Sequence, residues 1–232
     1  MNGVDKVYII CSKEYEKNQY SIWEKWKESY KNSEILFYKW KKDLSDEDIK
    51  QYYIRNFEKE NRMKPFWKER PFPLGKGEIS LVINWIKVLE DALIKNYDKI
   101  LVFESDAYLF EDNFQEMFDK VIAALNREES MDWDIISIGI ANGEQVTDNN
   151  NILLEGLVKV NWARCTDSFI ISKSGIKKLL EILNPFTLPI DVEICLAAND
   201  QKINMYWLQP GIVNQASIKG LTKSSTWNSW LE

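Results

Sequence analysis

The sequence predicts an α/β protein built on an open, mostly parallel sheet flanked by helices. Three observations carry that expectation. Short apolar runs alternate with amphipathic stretches in the order strand, helix, strand, helix, loop, helix, strand, helix, strand, as in crossover-linked parallel strands. The first run, Val4–Cys11 (VDKVYIIC), is apolar at nearly every position, the pattern of a strand covered on both faces. The 232 residues, 45% hydrophobic and 28% charged, suffice for one domain with a real core. Later strands lie closer together in sequence, so antiparallel pairs are expected in the C-terminal half.

After the first strand, Tyr15, Gln19, Ile22, Trp23, Trp26 and Tyr30 recur at helical spacing with Glu and Lys between them. Glu34–Trp40 (EILFYKW) reads as a second strand. Ser45 caps the next helix, DEDIKQYYIRNF; its first-turn acids face unpaired N–H groups that favour them. From 58 to 76, Pro65, Pro71 and Pro73 break every period and predict a long loop, either a lid that orders over a ligand or a static surface excursion. Residues 77–96 form an amphipathic helix, with Ile79, Val82, Ile83, Ile86, Leu89, Leu93 and Ile94 on one face. Lys99–Phe103 is a strand, 113–127 a helix, and Asp134–Ile138 a strand before the polar loop GIANGEQVTDNNN. Leu153–Val160 and Thr166–Ile171 read as two further strands. Ser172 opens a helix, SKSGIKKLLEIL, that closes at Asn184-Pro185; Pro189 and Asp191 introduce another short helix. Asn204–Leu208 is the last strand, and the polar tail from Gln215 is irregular.

Composition removes several function classes. A net charge of −6 does not suit a surface built to neutralise a nucleic-acid backbone. The apolar runs are too short to span a bilayer, and MNGVDKVYII has no signal-peptide architecture. Cys11, Cys165 and Cys195 are scattered and odd in number, which gives no disulfide framework and predicts a cytoplasmic protein. With no histidine in the chain, His-activated nucleophiles and His-containing zinc sites are excluded. Chemistry must come from carboxylates, hydroxyls, amides, Lys, Arg or a hard metal. Most of the ten Trp and ten Tyr are expected in packing, with Trp162, Trp207 and the aromatics of 65–73 as candidates to line a polar ligand pocket.

The stretch KILVFESDAYLFEDNF, 99–114, drives an apolar strand into Glu104-Ser105-Asp106. Ligands of open α/β sheets sit beyond the carboxyl ends of the strands. Residues two apart in extended backbone point the same way, so Glu104 and Asp106 are expected to share one hard divalent cation with substrate phosphates. The alternative is an ordinary strand end with a solvated turn.

GEISLVINWIKVLEDALIKNYDKILVFESDAYLFEDNF resembles the central signature of glycosyltransferase family 25, the lipopolysaccharide and collagen galactosyltransferases. In that family a Gly-Glu opens a helix and an acidic triplet follows a hydrophobic strand. TDSFIISKSGIKKLLEIL, LPID and QPGIVNQASI resemble its later segments, so the likeness covers roughly 77 to 218. It implies a single-domain A-type glycosyltransferase fold over 1–232, with 1–110 binding the nucleotide sugar and 111–232 mainly on the acceptor side. It also implies a nucleoside-diphosphate sugar donor, a UDP-sugar above all, a glycan acceptor, and inversion at the anomeric carbon. By the same resemblance Glu104 and Asp106 hold Mn²⁺ or Mg²⁺ against the diphosphate, and Glu78 and Gln215 attend the donor. A charge favourable to the helix N-terminus is the competing role for Glu78, and Ser105 either touches the nucleotide or faces elsewhere. Asp191 matches the family's Pro-x-Asp acid near the acceptor. The donor's base and ribose are expected at Ile10, Cys11 and Ser12, where strand one ends.

The sequence also departs from the family. Ser105 replaces the middle acid, Asn84-Trp85 stands where Ser-His is expected, and neither the tail's Ser-Asp nor the Asn-Leu and Arg after strand one has a match. These mark a divergent member, viral or bacterial, acting in the host cytoplasm if viral. With no histidine, the catalytic base falls to Asp191 first and Glu193 second, both just after LPI; a helix cap is the competing role for Asp191. A non-catalytic sugar-nucleotide or glycan-binding protein is the second reading of the whole chain. A phosphoesterase is a weaker third, because only two clustered carboxylates are evident.

Overall fold

The structure is a computed structural model that describes residues 3–63, 72–109, 114–127, 131–140, 152–154 (backbone), 156–162, 165–217 and 220–221. Ten strands and seven helices are described: β1 (Lys6–Ile10), α1 (Lys17–Ser29), β2 (Ser33–Leu36), α2 (Asp46–Tyr52), α3 (Phe57–Met63), α4 (Lys76–Ile94), β3 (Lys99–Glu104), β4 (Ala107–Leu109), α5 (Phe114–Arg127), β5 (Ile135–Ser137), β6 (Ile152–Leu154), β7 (Leu157–Val160), β8 (Ser168–Ser172), α6 (Lys173–Leu183), α7 (Ile190–Asn199), β9 (Met205–Leu208) and β10 (Val213–Gln215). Eight strands make one sheet in the order β2-β1-β3-β8-β5-β9-β7-β6, and β4 and β10 make a separate ribbon.

Period-two alternation sorts the side chains of the sheet into two cores. Ile100 and Val102 of β3 pack with α4, α6 and α7, while Leu101 and Phe103 pack with α1 and α5. Trp85, Phe103 and Phe169 are wholly buried, each contributing about 1.5–3 kcal/mol through burial alone. The result is a helix–sheet–helix sandwich, the open-sheet α/β class that the sequence predicts. Among the described residues no helix is long and apolar enough to cross a membrane.

Strand direction decides what meets at the ends. β1, β2 and β3 are mutually parallel, β8 opposes β3 and β5, β9 follows β5, β7 opposes β9, and β6 opposes β7. Six of the eight strands therefore run one way, and β7 and β8 run the other. Because β8 is reversed between β3 and β5, its first residues lie at the edge where its two neighbours end.

The structure revises several expected elements. Residues 58–63 belong to α3 rather than to a loop: the Asn56 carboxamide accepts the Glu58 and Lys59 amides at 3.0 and 3.1 Å, and Arg55 grips Glu60 through two bonds of 2.9 and 2.8 Å. The remainder of the expected lid, 64–71 with Pro65, Trp67 and Pro71, lies outside the described residues, as does most of the polar tail. The run 153–160 is a hairpin, turning at Gly156 with φ +88°, a region that favours glycine. β2 stops at Leu36, and the short strands β4 and β10 were not foreseen.

Candidate active site

β3 delivers Glu104, and there the extended chain ends. Ser105 and Asp106 form a turn before β4 begins, so the expected same-side geometry of an extended Glu104-Ser105-Asp106 is not how the acids meet. Trp23 of α1 fixes the turn, its indole Nε1–H donating to the Ser105 carbonyl at 2.8 Å. β4 then pairs with β10, setting Ala107 opposite Gln215. The Ala216 N–H donates to the Asp106 carbonyl at 2.8 Å, and the Ser217 hydroxyl donates to the Asp106 carboxylate. The Gln215 side chain also favours the charged form of Asp106.

Glu104 is held from two sides. Its Oε1 accepts the Trp85 Nε1–H of α4 at 3.1 Å and the hydroxyl of Thr166. Trp85 thus has a specific polar task at the position where the sequence departs from the family's Ser-His. Asn84 beside it ties α4 to the segment after β2, accepting the Tyr38 N–H at 2.6 Å and donating to the Lys39 carbonyl at 2.9 Å.

A third acid joins the pair. Asp167, just before reversed β8, has its carbonyl bonded by the Glu104 N–H at 2.9 Å and is 1% exposed. Sequence reading treated Thr166–Ile171 as one more strand and missed it; the available signal was a Thr-Asp opening an otherwise apolar run.

Burial raises Glu104 to about 7 from its ordinary 4.5; the neighbouring charge of Asp106 adds to this, the Thr166 and Trp85 hydrogen bonds oppose it, and Asp191 adds further. Burial likewise raises Asp106, and raises Asp167 well above the carboxylate range with help from Glu104 and Asp106. Glu104 and Asp106 nonetheless keep some open surface. Among the described residues no Lys or Arg lowers the pKa of any of the three as a leading effect, and no three His, Cys, Asp or Glu side chains stand where they could ligate one ion together.

The raised Glu104 sets a pH dependence. The folded chain keeps this proton up to about pH 7, whereas the unfolded chain loses it near 4.5. Between those values the folded state binds more protons, so this group makes stability fall as pH rises. The urea midpoint of metal-free protein is expected to carry such a declining component across that window, and Glu104→Gln should remove it. A Glu104→Gln difference curve that is flat, or of opposite sign, would contradict the assignment.

The other predicted residues divide. Asp191 lies in the first turn of α7, whose N-cap is Pro189, so it is not the cap; its Oδ1 accepts the Val192 N–H at 3.0 Å, and its charge reaches Glu104. Glu193 is occupied by the fold. One of its oxygens accepts the Thr187 and Leu188 amides at 2.8 and 3.0 Å, and the other pairs with Lys59 of α3 at 2.8 Å. Glu78 accepts the Gly75 N–H at 3.1 Å at the start of α4. Ile10 is the register partner of Glu104, but the Ile10 and Cys11 side chains are buried in opposite cores. Burial, with Glu16 nearby, raises the Cys11 thiol, and the Ser12 N–H donates to Glu16 at 3.3 Å. Trp207 is buried with its Nε1–H on the Gly139 carbonyl at 2.6 Å, a packing position, whereas Trp162 is 38% exposed.

A model of glycosyltransferase family 25 (LPS biosynthesis protein) matches residues 47–194, a span that holds Trp85, Glu104, Asp106, Thr166, Asp167 and Asp191. A rat protein named probable inactive glycosyltransferase 25 family member 3 is 28% identical over 110 residues, 46% of this chain and 18% of that one. Human procollagen galactosyltransferase 2 is 27% identical over 141 residues, 58% of this chain and 21% of that one. The chain thus spans about a fifth of the length of these curated relatives. Among solved structures, UDP-glucose pyrophosphorylase complexed with UDP-glucose aligns over 97% of both chains at 12% identity and a TM-score of 0.41, a likeness that carries no argument.

Proposed function

The chain belongs to glycosyltransferase family 25, and from that premise we propose that it transfers a sugar from a nucleoside-diphosphate donor, a UDP-sugar, to a hydroxyl of a glycan acceptor with inversion. The observation that carries this reading is the pair of acids held in place at the end of β3. There Glu104 is fixed by Trp85 and Thr166, and Asp106 by Ser217, while both keep open surface. Buried carboxylates without a cationic partner are costly, and that donor set, all hard oxygen, fits Mn²⁺ or Mg²⁺. Glu104 and Asp106 would hold the ion. Bound there, it would supply Lewis-acid stabilisation to the departing diphosphate.

The chain's own residues supply the rest. With Glu104 Oε1 taken by two donors, Oε2 is the oxygen left for a ligand, and the carboxylate cannot swing away. The end of β1, Ile10 to Ser12, lies beside Glu104 in the sheet and is the proposed seat for the nucleoside, and Gln215 and Ser105 flank Asp106. Asp191 is the base: it takes the proton of the acceptor hydroxyl as that oxygen forms its bond to C1 and the bond from C1 to the diphosphate oxygen breaks. Glu193 is not proposed for this step, because both its oxygens already have partners.

The name of one relative, an inactive family member at similar identity, favours a second reading as a sugar-nucleotide-binding protein without turnover. A panel of UDP-sugars with Mn²⁺, followed by UDP release with and without acceptor glycans, separates the two. Metal-dependent UDP release from one sugar supports transfer. Tight binding with no release under any acceptor supports the second reading.

A further inference from the structure

β3 and β8 pair Phe103 with Ser168, and the next pair outward is Glu104 with Asp167. Opposed residues of an antiparallel pair put their side chains on one face, and like charges there work against the pairing. Asp167 also demands space from the next strand over. A Cβ on Gly139 would come within 2.3 and 2.4 Å of the two Asp167 carboxylate oxygens, so any side chain at 139 would displace that carboxylate. Neither oxygen has a hydrogen-bond partner among the described residues, although the residue is 1% exposed. A buried carboxylate whose nearby donors are only the amides of its own residue and Ser168, set opposite another acid and accommodated by a glycine, is costly to the sheet unless something else binds it.

We propose that Asp167 is an outer carboxylate of the cation site, strengthening the hold on a divalent ion at Glu104 and Asp106 through its charge and an intervening water. This rests on the metal-dependent reading above. The outer position follows from the absence, among the described residues, of any three acids placed to ligate one ion together. The unpartnered Asp167 carboxylate, directed at the same face as Glu104, is the observation that distinguishes this from a mere acidic cluster.

The test is calorimetric titration of the whole chain with Mn²⁺ alone, beside melting curves with and without Mn²⁺, for wild type, Asp167→Asn and Glu104→Gln. Asp167→Asn is expected to melt no lower than wild type without metal, since burial and the neighbouring acids already disfavour a charge there, and to bind Mn²⁺ about 10–100-fold more weakly, the usual cost of losing an outer-sphere partner. Wild-type affinity in Asp167→Asn would overturn the proposal while leaving the metal reading intact, provided Glu104→Gln loses binding. No Mn²⁺ binding by wild type would overturn both. Should Asp167→Asn fail to fold, Gly139→Ala reads the same quantity: it must weaken Mn²⁺ by displacing Asp167, and unchanged affinity there also overturns the proposal.

Discussion

Glu104→Gln is expected to cost transfer about 2–4 kcal/mol of transition-state stabilisation, the order seen when a preorganised charge partner is removed. That is roughly a 30- to 1,000-fold fall in rate. The amide keeps the shape and still accepts from Trp85 and Thr166, so the fold should survive with its charge gone. Because the substitution also relieves a buried acid beside Asp106 and Asp167, the metal-free protein should be no less stable. Asp106→Asn should fall in the same range. Steady-state transfer rates and Mn²⁺ titrations on both variants check this. Near-wild-type transfer, or metal affinity unchanged in both, would end the assignment of the β3 strand end as the metal seat.

Asp191→Asn is expected to lower transfer by roughly 10²–10⁴-fold, the contribution of a general base, with donor and metal affinity nearly intact. The structure sharpens this test, because Pro189 holds the N-cap position of α7 and Asn at 191 can still accept the Val192 N–H that Asp191 accepts, so a large loss cannot be laid to the helix terminus. Glu193→Gln is the matched control and should behave in the opposite way. Losing the charge opposite Lys59 should cost about 1–3 kcal/mol of stability, while transfer by the folded fraction stays near wild type. Calorimetry of donor binding, denaturant midpoints and transfer rates on the two variants decide it. Full activity in Asp191→Asn, or a rate collapse confined to Glu193→Gln, would reverse the assignment.

Where local pattern determines structure, the sequence was readable. The Ser45–Asp48 capping box of α2, the apolar stripe of α4 and the run into Glu104 all appear where their residues predict. What escaped depended on distant partners. α3 has only seven residues and is pinned by ion pairs from Lys59 to Glu193 and from Arg62 to Asp200, 134 and 138 positions away. The turn at Ser105-Asp106 has neither Gly nor Pro to announce it, and an indole from α1 holds it. Asp167 was hidden because nothing in TDSFIIS tells which way its strand runs. Only the reversal of β8 brings that acid to the edge where β3 ends. Glu193 was misjudged for a related reason: a carboxylate in the first turn of a helix looks available until the amides of Thr187 and Leu188 are seen to claim it.

The ribbon of β4 and β10 gives the molecule two parts that can be cut apart. Every strand of the large sheet lies before Leu208, and Val213 still anchors its segment in the core, yet Gln215, Ala216 and Ser217 reach Asp106 only from beyond it. Loss of the chain from Gln215 onward would therefore strip Asp106 of its clasp while every described strand of the large sheet remained in the chain, so the length of the C-terminal segment must be read by mass before a silent preparation is judged inert.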